Sequence, residues 1–271
     1  MCRWIAYMGP AIPMSLPLID ASHSLLAQSQ NSTEGAEAVN GDGFGVGWYS
    51  SHLGTPGVYR DVRPAWNDEN FRCLTSHIRS HLFMAHVRAA TGTNIQRSNC
   101  HPFRHDKWLF QHNGLIPEFH RVRRDLMMRL DDQLFAQVQG STDSEVLFYL
   151  ALSLGLEQEP GEALARTVGI VEELLTEKQI SGEFHFTIAA ADGDSLYAVR
   201  YASEGAPRSL YYATELEVLQ QLDPGLAAIP EGSMVVVSEP LGTAVEWNKV
   251  HPGSLLRASR DGVSVSTFGP R

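Results

Sequence analysis

The sequence predicts a layered fold in which helices pack outside stacked β-sheets, within a single domain covering 1–271. Three observations predict it. Short β-rich runs occupy both halves of the chain, two helical signals sit between them, and Asp-Gly turns punctuate the later runs. With 271 residues, 43% hydrophobic and 19% charged, the chain can bury a full core.

Residues 13–27 carry apolar side chains at irregular helical spacing, and 28–42, QSQNSTEGAEAVNGD, predict a long polar loop beside the site. Apolar or aromatic runs at 44–49, 82–88 and 107–111 predict strands. Ser141-Thr142-Asp143-Ser144-Glu145 precedes VLFYLALSL, and Thr142 with Glu145 fits a capping box. Pro160 opens a second helix reaching about 178, with Leu164, Val168, Val171 and Leu175 on one face. Runs at 183–191 and 195–201 flank Asp192-Gly193-Asp194, and runs at 255–259 and 263–268 flank Arg260-Asp261-Gly262. Both pairs read as hairpins, and 233–238 adds another strand. There is no internal repeat.

A net charge of −10 argues against nucleic acid or an anionic membrane as partner. No apolar run approaches the roughly 18 residues of a membrane span, and no secretory signal pattern is evident. Cys2, Cys73 and Cys100 cannot all pair, which fits a reduced, cytoplasmic setting.

Cys2 carries the most information by position. Removal of Met1 would leave a thiol and a free α-amine on one residue. With a reference pKa of about 7.7–8.0, that amine could take the thiol proton and release a nucleophilic thiolate. A retained methionine would lock the amine in a peptide bond. His112-Asn113-Gly114 follows the 107–111 run. An Asn-Gly pair there is most often a tight turn; alternatively, the Asn113 amide and the Gly114 N–H could form an oxyanion hole. Arg88, in Ala85-His86-Val87-Arg88-Ala89-Ala90-Thr91-Gly92, suits bidentate capture of a carboxylate, though such an Arg is commonly a surface ion-pair residue. Asp143 could favour the helix dipole or accept a substrate ammonium. Asn40-Gly41-Asp42-Gly43-Phe44-Gly45-Val46-Gly47 lacks the Lys-Ser/Thr ending of a phosphate loop and predicts a tight turn whose small residues leave room near the site. The histidines at 77–120 match no zinc spacing, so neither metal nor cofactor is expected. His101 and His112 are candidates for supporting the site from behind.

Jointly these residues resemble a class II glutamine amidotransferase domain, one of the N-terminal-nucleophile hydrolases. The resemblance rests on Met1-Cys2, the Asn40–Gly45 turn, His86 through Thr91, His112-Asn113-Gly114 and Thr142-Asp143-Ser144-Glu145. The chain is most similar to the stand-alone branch that includes the γ-glutamyl hydrolase of ergothioneine biosynthesis. The shared stretches are MCRWIAYMG, DGFGVGWY, RPAWND, NCHPF, WLFQHNG and Ser238-Glu239-Pro240-Leu241 with Trp247. The resemblance implies an α+β, four-layer αββα sandwich of two stacked antiparallel sheets. It also implies a γ-glutamyl thioester on Cys2, the substrate carboxylate on Arg88, its ammonium on Asp143, and an oxyanion hole from Asn113 and Gly114. His86 and Thr91 belong to the same substrate-binding set. The substrate would be glutamine or a γ-glutamyl small molecule, with 28–42 setting leaving-group specificity. Either hydrolysis is itself the function, or a separate acceptor synthase subunit takes the ammonia. An N-terminal-cysteine linear-amide acylase is the other enzymatic reading, and a thiol- or metal-binding protein a non-enzymatic one.

Overall fold

The computed structural model describes residues 2–34, 37–90, 92–214, 230, 232–242 and 247–271. Met1 and Thr91, both singled out above, lie outside the described residues.

Thirteen strands form two fully antiparallel sheets among the described residues. The first contains β1 (Arg3–Pro13), β2 (Phe44–Trp48), β3 (Gly57–Asp61), β4 (Arg79–Val87), β9 (Tyr211–Ala213), β10 (Met234–Val237) and β11 (Asn248–Lys249), in the order β11-β9-β10-β1-β4-β2-β3. The second contains β5 (Phe103–His105), β6 (Trp108–Leu115), β7 (His185–Ala191), β8 (Leu196–Ala202), β12 (Ser254–Ser259) and β13 (Gly262–Thr267), in the order β13-β12-β8-β7-β6-β5. Helices α1 (Leu25–Gln30) and α2 (Glu69–His77) go with the first sheet. Helices α3 (Phe119–Met127), α4 (Asp132–Phe135), α5 (Asp143–Ser153) and α6 (Pro160–Glu177) go with the second.

Strand alternation builds the layers. On β1, Trp4, Ala6 and Met8 join Leu109, Ala189 and Ala198 in a core between the sheets, whereas Ile5 and Tyr7 face Leu18, Leu25 and Phe71 on the other side. On β6, Trp108 and Phe110 pack under Phe148, Leu164 and Val168, while Leu109 turns into the inter-sheet core. The result is the expected four-layer αββα sandwich.

Several local expectations change. Residues 13–27 are not one helix: β1 runs to Pro13, and only a short turn at Leu16–Asp20 and α1 follow. Asn113-Gly114 is no turn, since both stay in β6 opposite Thr187 and Phe186. The capping box is half formed. Thr142 Oγ1 accepts from Glu145 N at 3.3 Å, but the Glu145 carboxylate instead accepts from Gln139 N and Gly140 N at 3.0 and 2.6 Å. The glycines of β2 also do not open space at the site. A Cβ on Gly45 would strike the His101 carbonyl and one on Gly47 would meet Leu109 and Pro102, so these glycines let the two sheets approach.

Candidate active site

Strand register assembles the site. β1 pairs with β4 so that Arg3 faces Val87 and Trp4 faces His86, which sets Cys2 beside residues 88–90 at the exit of β4. Cys2 is half-buried, with Sγ 3.7 Å from the Ala89 carbonyl oxygen. Burial pushes its thiol above the ordinary cysteine value, while the Arg88 and Arg3 guanidinium groups act in the opposite direction. A thiol held this way is protonated at neutral pH, so a nucleophilic role would need a base to remove its proton.

Arg88 is buried, and its main chain is clamped by Arg88 N to Gly43 O at 2.8 Å and Asp42 N to Arg88 O at 2.9 Å. Its Nη1 donates to the Asp42 carbonyl at 3.2 Å, and Nη2 donates to Thr93 Oγ1 at 2.6 Å and Asn94 O at 3.3 Å. These acceptors are all neutral, so the guanidinium charge is left for an anion. Thr93 and Asn94, which orient the fork, are functional candidates the sequence reading missed.

Asp143 opens α5 immediately after the cap residue Thr142. Its Oδ2 accepts from Ile116 N at 2.8 Å and its Oδ1 from Ser144 N at 2.7 Å, tying the helix start to the end of β6. A single cavity of about 590 Å³ is lined by Cys2, Arg88, Gly114 and Asp143. Gly114 fits there because a Cβ would collide with the His185 carbonyl and with His112 Nε2. Asn113 sits next door, buried, with Nδ2 lacking any hydrogen-bond partner, and lines a second cavity of about 280 Å³.

His86 does not reach the cavity wall. It is fully buried behind it, stacks on His101 at 4.2 Å between ring centroids, and has Nε2 3.3 Å from the His112 carbonyl. Its place is that of a support, whereas His101 and His112, which were expected only behind the site, contribute to the cavity wall itself, and His112 Nδ1 lies 2.9 Å from Ser144 Oγ. Burial lowers the His86 pKa to about 3, and burial likewise lowers those of His101 and His112. Below pH 6.5 the unfolded chain therefore binds protons that folded His86 refuses until about pH 3. Stability should consequently fall as pH drops through that window, by roughly 2 kcal/mol between pH 6.5 and 5 for His86 alone. Urea unfolding at the two pH values checks this, and a His86→Gln protein should lose one histidine's share of the slope. Equal slopes in the two proteins would contradict the assignment.

Glu239 stands in the sequence only as part of a shared stretch, yet it organises the surroundings of Cys2. Its buried carboxylate accepts from Arg3 Nε at 2.7 Å, Ser32 Oγ at 2.8 Å and the Thr33 and Glu34 amides, and contacts His23 Nε2 at 2.6 Å. Burial alone would raise its pKa, but these hydrogen bonds hold it well below the usual carboxylate range. Arg3 in turn donates Nη1 to the Cys2 carbonyl at 2.7 Å and Nη2 to the Glu34 carbonyl. Part of the predicted polar loop is thereby fastened to the first residues of β1. Among the described residues, no group of three His, Cys, Asp or Glu side chains could hold a metal ion, and no helix is long and apolar enough to cross a membrane.

Residues 17–271 match the family described as glutamine amidotransferases class-II. A probable glutamine amidotransferase, DUG3, of Saccharomyces cerevisiae is 30% identical over 94% of this chain and 81% of its own length. The γ-glutamyl-hercynylcysteine sulfoxide hydrolase of Mycolicibacterium smegmatis is 29% identical over 88% of this chain and 96% of its own. A solved glutamine aminotransferase class-II domain protein from Silicibacter pomeroyi superposes with a TM-score of 0.74 at 34% identity, covering 99% of this chain and all of the other. The chain belongs to the class II glutamine amidotransferases.

Proposed function

We propose that this enzyme hydrolyses a γ-glutamyl amide, using Cys2 as nucleophile once Met1 has been removed. The observation that carries the reading is the single cavity in which Cys2, Arg88, Gly114 and Asp143 meet. A cation and a carboxylate lining one cavity suit the carboxylate and ammonium of an amino-acid head group. The names of the mycobacterial relatives support the same substrate class.

In this reading the Cys2 α-amine takes the Sγ proton as sulfur attacks the γ-carbonyl carbon. The carbonyl oxygen becomes negative and is received by the Asn113 amide and the Gly114 N–H. Collapse breaks the C–N bond, the departing nitrogen takes the proton held by the amine, and a γ-glutamyl thioester remains. Water then loses a proton to the same amine, adds to the thioester and releases glutamate, and the proton returns to sulfur. The protonated resting thiol, raised by burial, is consistent with a mechanism that needs this base.

Glutamate release from γ-glutamyl amides tests the reading, with Arg88→Lys as the diagnostic variant. Lys cannot make the bidentate fork, so KM should rise about tenfold or more. Hydrolysis of fatty or aromatic acyl amides in preference to γ-glutamyl ones, or an unchanged KM, would sink it. Glutaminase activity seen only after a synthase is added would make the chain an ammonia donor instead.

A further inference from the structure

We propose that the smaller cavity, on the Asn113 side, is the leaving-group subsite, and that it selects γ-glutamyl amides whose amine portion carries a carboxylate, as in a γ-glutamyl amino acid, over glutamine itself. The inference rests on the γ-glutamyl reading above and extends it.

Gly114 lies on the wall of the cavity that holds Arg88 and Asp143, while its neighbour Asn113 lies on the wall of the smaller one. A carbonyl oxygen received by both residues sits at the boundary between the two spaces. Its carbon then sends the γ-glutamyl chain toward Arg88 and Asp143 and the amide nitrogen toward the other side. Asn113 Nδ2 is buried and without a partner, as a group awaiting a ligand would be.

The charges of the smaller cavity name the ligand class. Arg3 is neutralised by Glu239, and the Glu34 carboxylate accepts from Tyr211 Oη at 3.0 Å. Arg200 is buried, and among the described residues its guanidinium donates to the main-chain carbonyls of Arg208, Val250 and Pro207, at 2.9, 2.6 and 3.2 Å, with the Glu34 carboxylate acting on it through space. Arg208 feels Glu37 and Glu183, but its Nε is buried without a hydrogen-bond partner. Lys249 stands exposed at the edge, its ammonium 5.5 Å from the Tyr211 ring. With Arg3 paired to Glu239, the wall sets the three cations Arg200, Arg208 and Lys249 against the single Glu34 carboxylate among the described residues. That excess of positive charge, in a chain of net charge −10, offers ammonia nothing and a carboxylate a great deal.

The test compares kcat/KM for γ-glutamylglycine and γ-glutamylmethylamide, which share the scissile amide but differ in the carboxylate. The wild-type enzyme should favour γ-glutamylglycine by about tenfold or more. Arg208→Gln should shrink that ratio about tenfold, and Lys249→Gln, at an exposed position where folding is not at risk, about twofold to threefold. A wild-type ratio near one, or variants that slow both substrates equally, would overturn the subsite. Covalent labelling of Cys2 by a glutamine-like electrophile keeps the two readings apart. Labelling with a ratio near one removes the subsite alone, whereas no labelling and no turnover of either amide removes the γ-glutamyl reading and the subsite with it.

Discussion

The Cys2→Ala protein is expected to hydrolyse no γ-glutamyl amide above background while melting within about 2 °C of the wild type. The two halves of that result have separate causes. Covalent catalysis has no fallback here, because no other described cysteine lies on the cavity wall: Cys73 is exposed on α2, and Cys100 is buried. Stability, by contrast, loses little. The Cys2 thiol is half-buried, and its one hydrogen bond, to the Ala89 carbonyl, is a long 3.7 Å. Weak bonds of this kind contribute well under about 1 kcal/mol, and a chain of this size shifts its Tm by roughly 2–4 °C per kcal/mol. Retained turnover would refute the nucleophile, and a collapse of Tm would make Cys2 structural.

Asn113→Ala should lower kcat by about 10²–10³, the usual effect of losing one oxyanion donor, on the order of 3–4 kcal/mol. It should do so with KM nearly unchanged, because the amide acts on charge that appears only in the transition state. Asn113 Nδ2 is buried without a partner. Removing it breaks no internal bond of that nitrogen and relieves a desolvated donor, so Tm should hold or rise. Activity and stability thus move in different directions, which a packing role for Asn113 would not produce. Comparing kcat, KM and Tm of the pure variant settles the matter, and an effect confined to KM would count against the oxyanion role.

Legibility in the sequence followed locality. Hairpins such as β7–β8 and β12–β13 announce themselves through turn residues, with Gly193 and Gly262 at φ +100° and +117°. The α5 helix carries its Thr142 cap and a continuous apolar run locally, and α6 its Pro160 start and one apolar face. β1 was invisible for a physical reason. It is buried on both faces, so its run RWIAYMGPAIP shows no period of two, and its prolines suggest a break. The Asn113-Gly114 pair misled because turn propensity is a local preference, and pairing with β7 overrides it.

The candidate site divides in the same way. Cys2, Arg88, Gly114 and Asp143 sit in recognisable short stretches, and they share one cavity. Asn113 is adjacent but faces the smaller cavity, because neighbouring strand residues point to opposite faces. Glu239 bonds Arg3 from 236 positions away, a relation no local pattern encodes. The cations Arg200, Arg208 and Lys249 are likewise joined only by the folded chain.

The central claim is that Cys2, freed as the N-terminus, attacks a γ-glutamyl carbonyl bound in the Arg88–Asp143 cavity. Intact-mass spectrometry before and after treatment with 6-diazo-5-oxo-norleucine, a glutamine-like electrophile, tests it most directly. The account predicts loss of Met1 and a single adduct that maps to Cys2 and is blocked by excess glutamine or γ-glutamyl amide. A protein that retains Met1 yet turns over, or an adduct on Cys73 instead of Cys2, would contradict it.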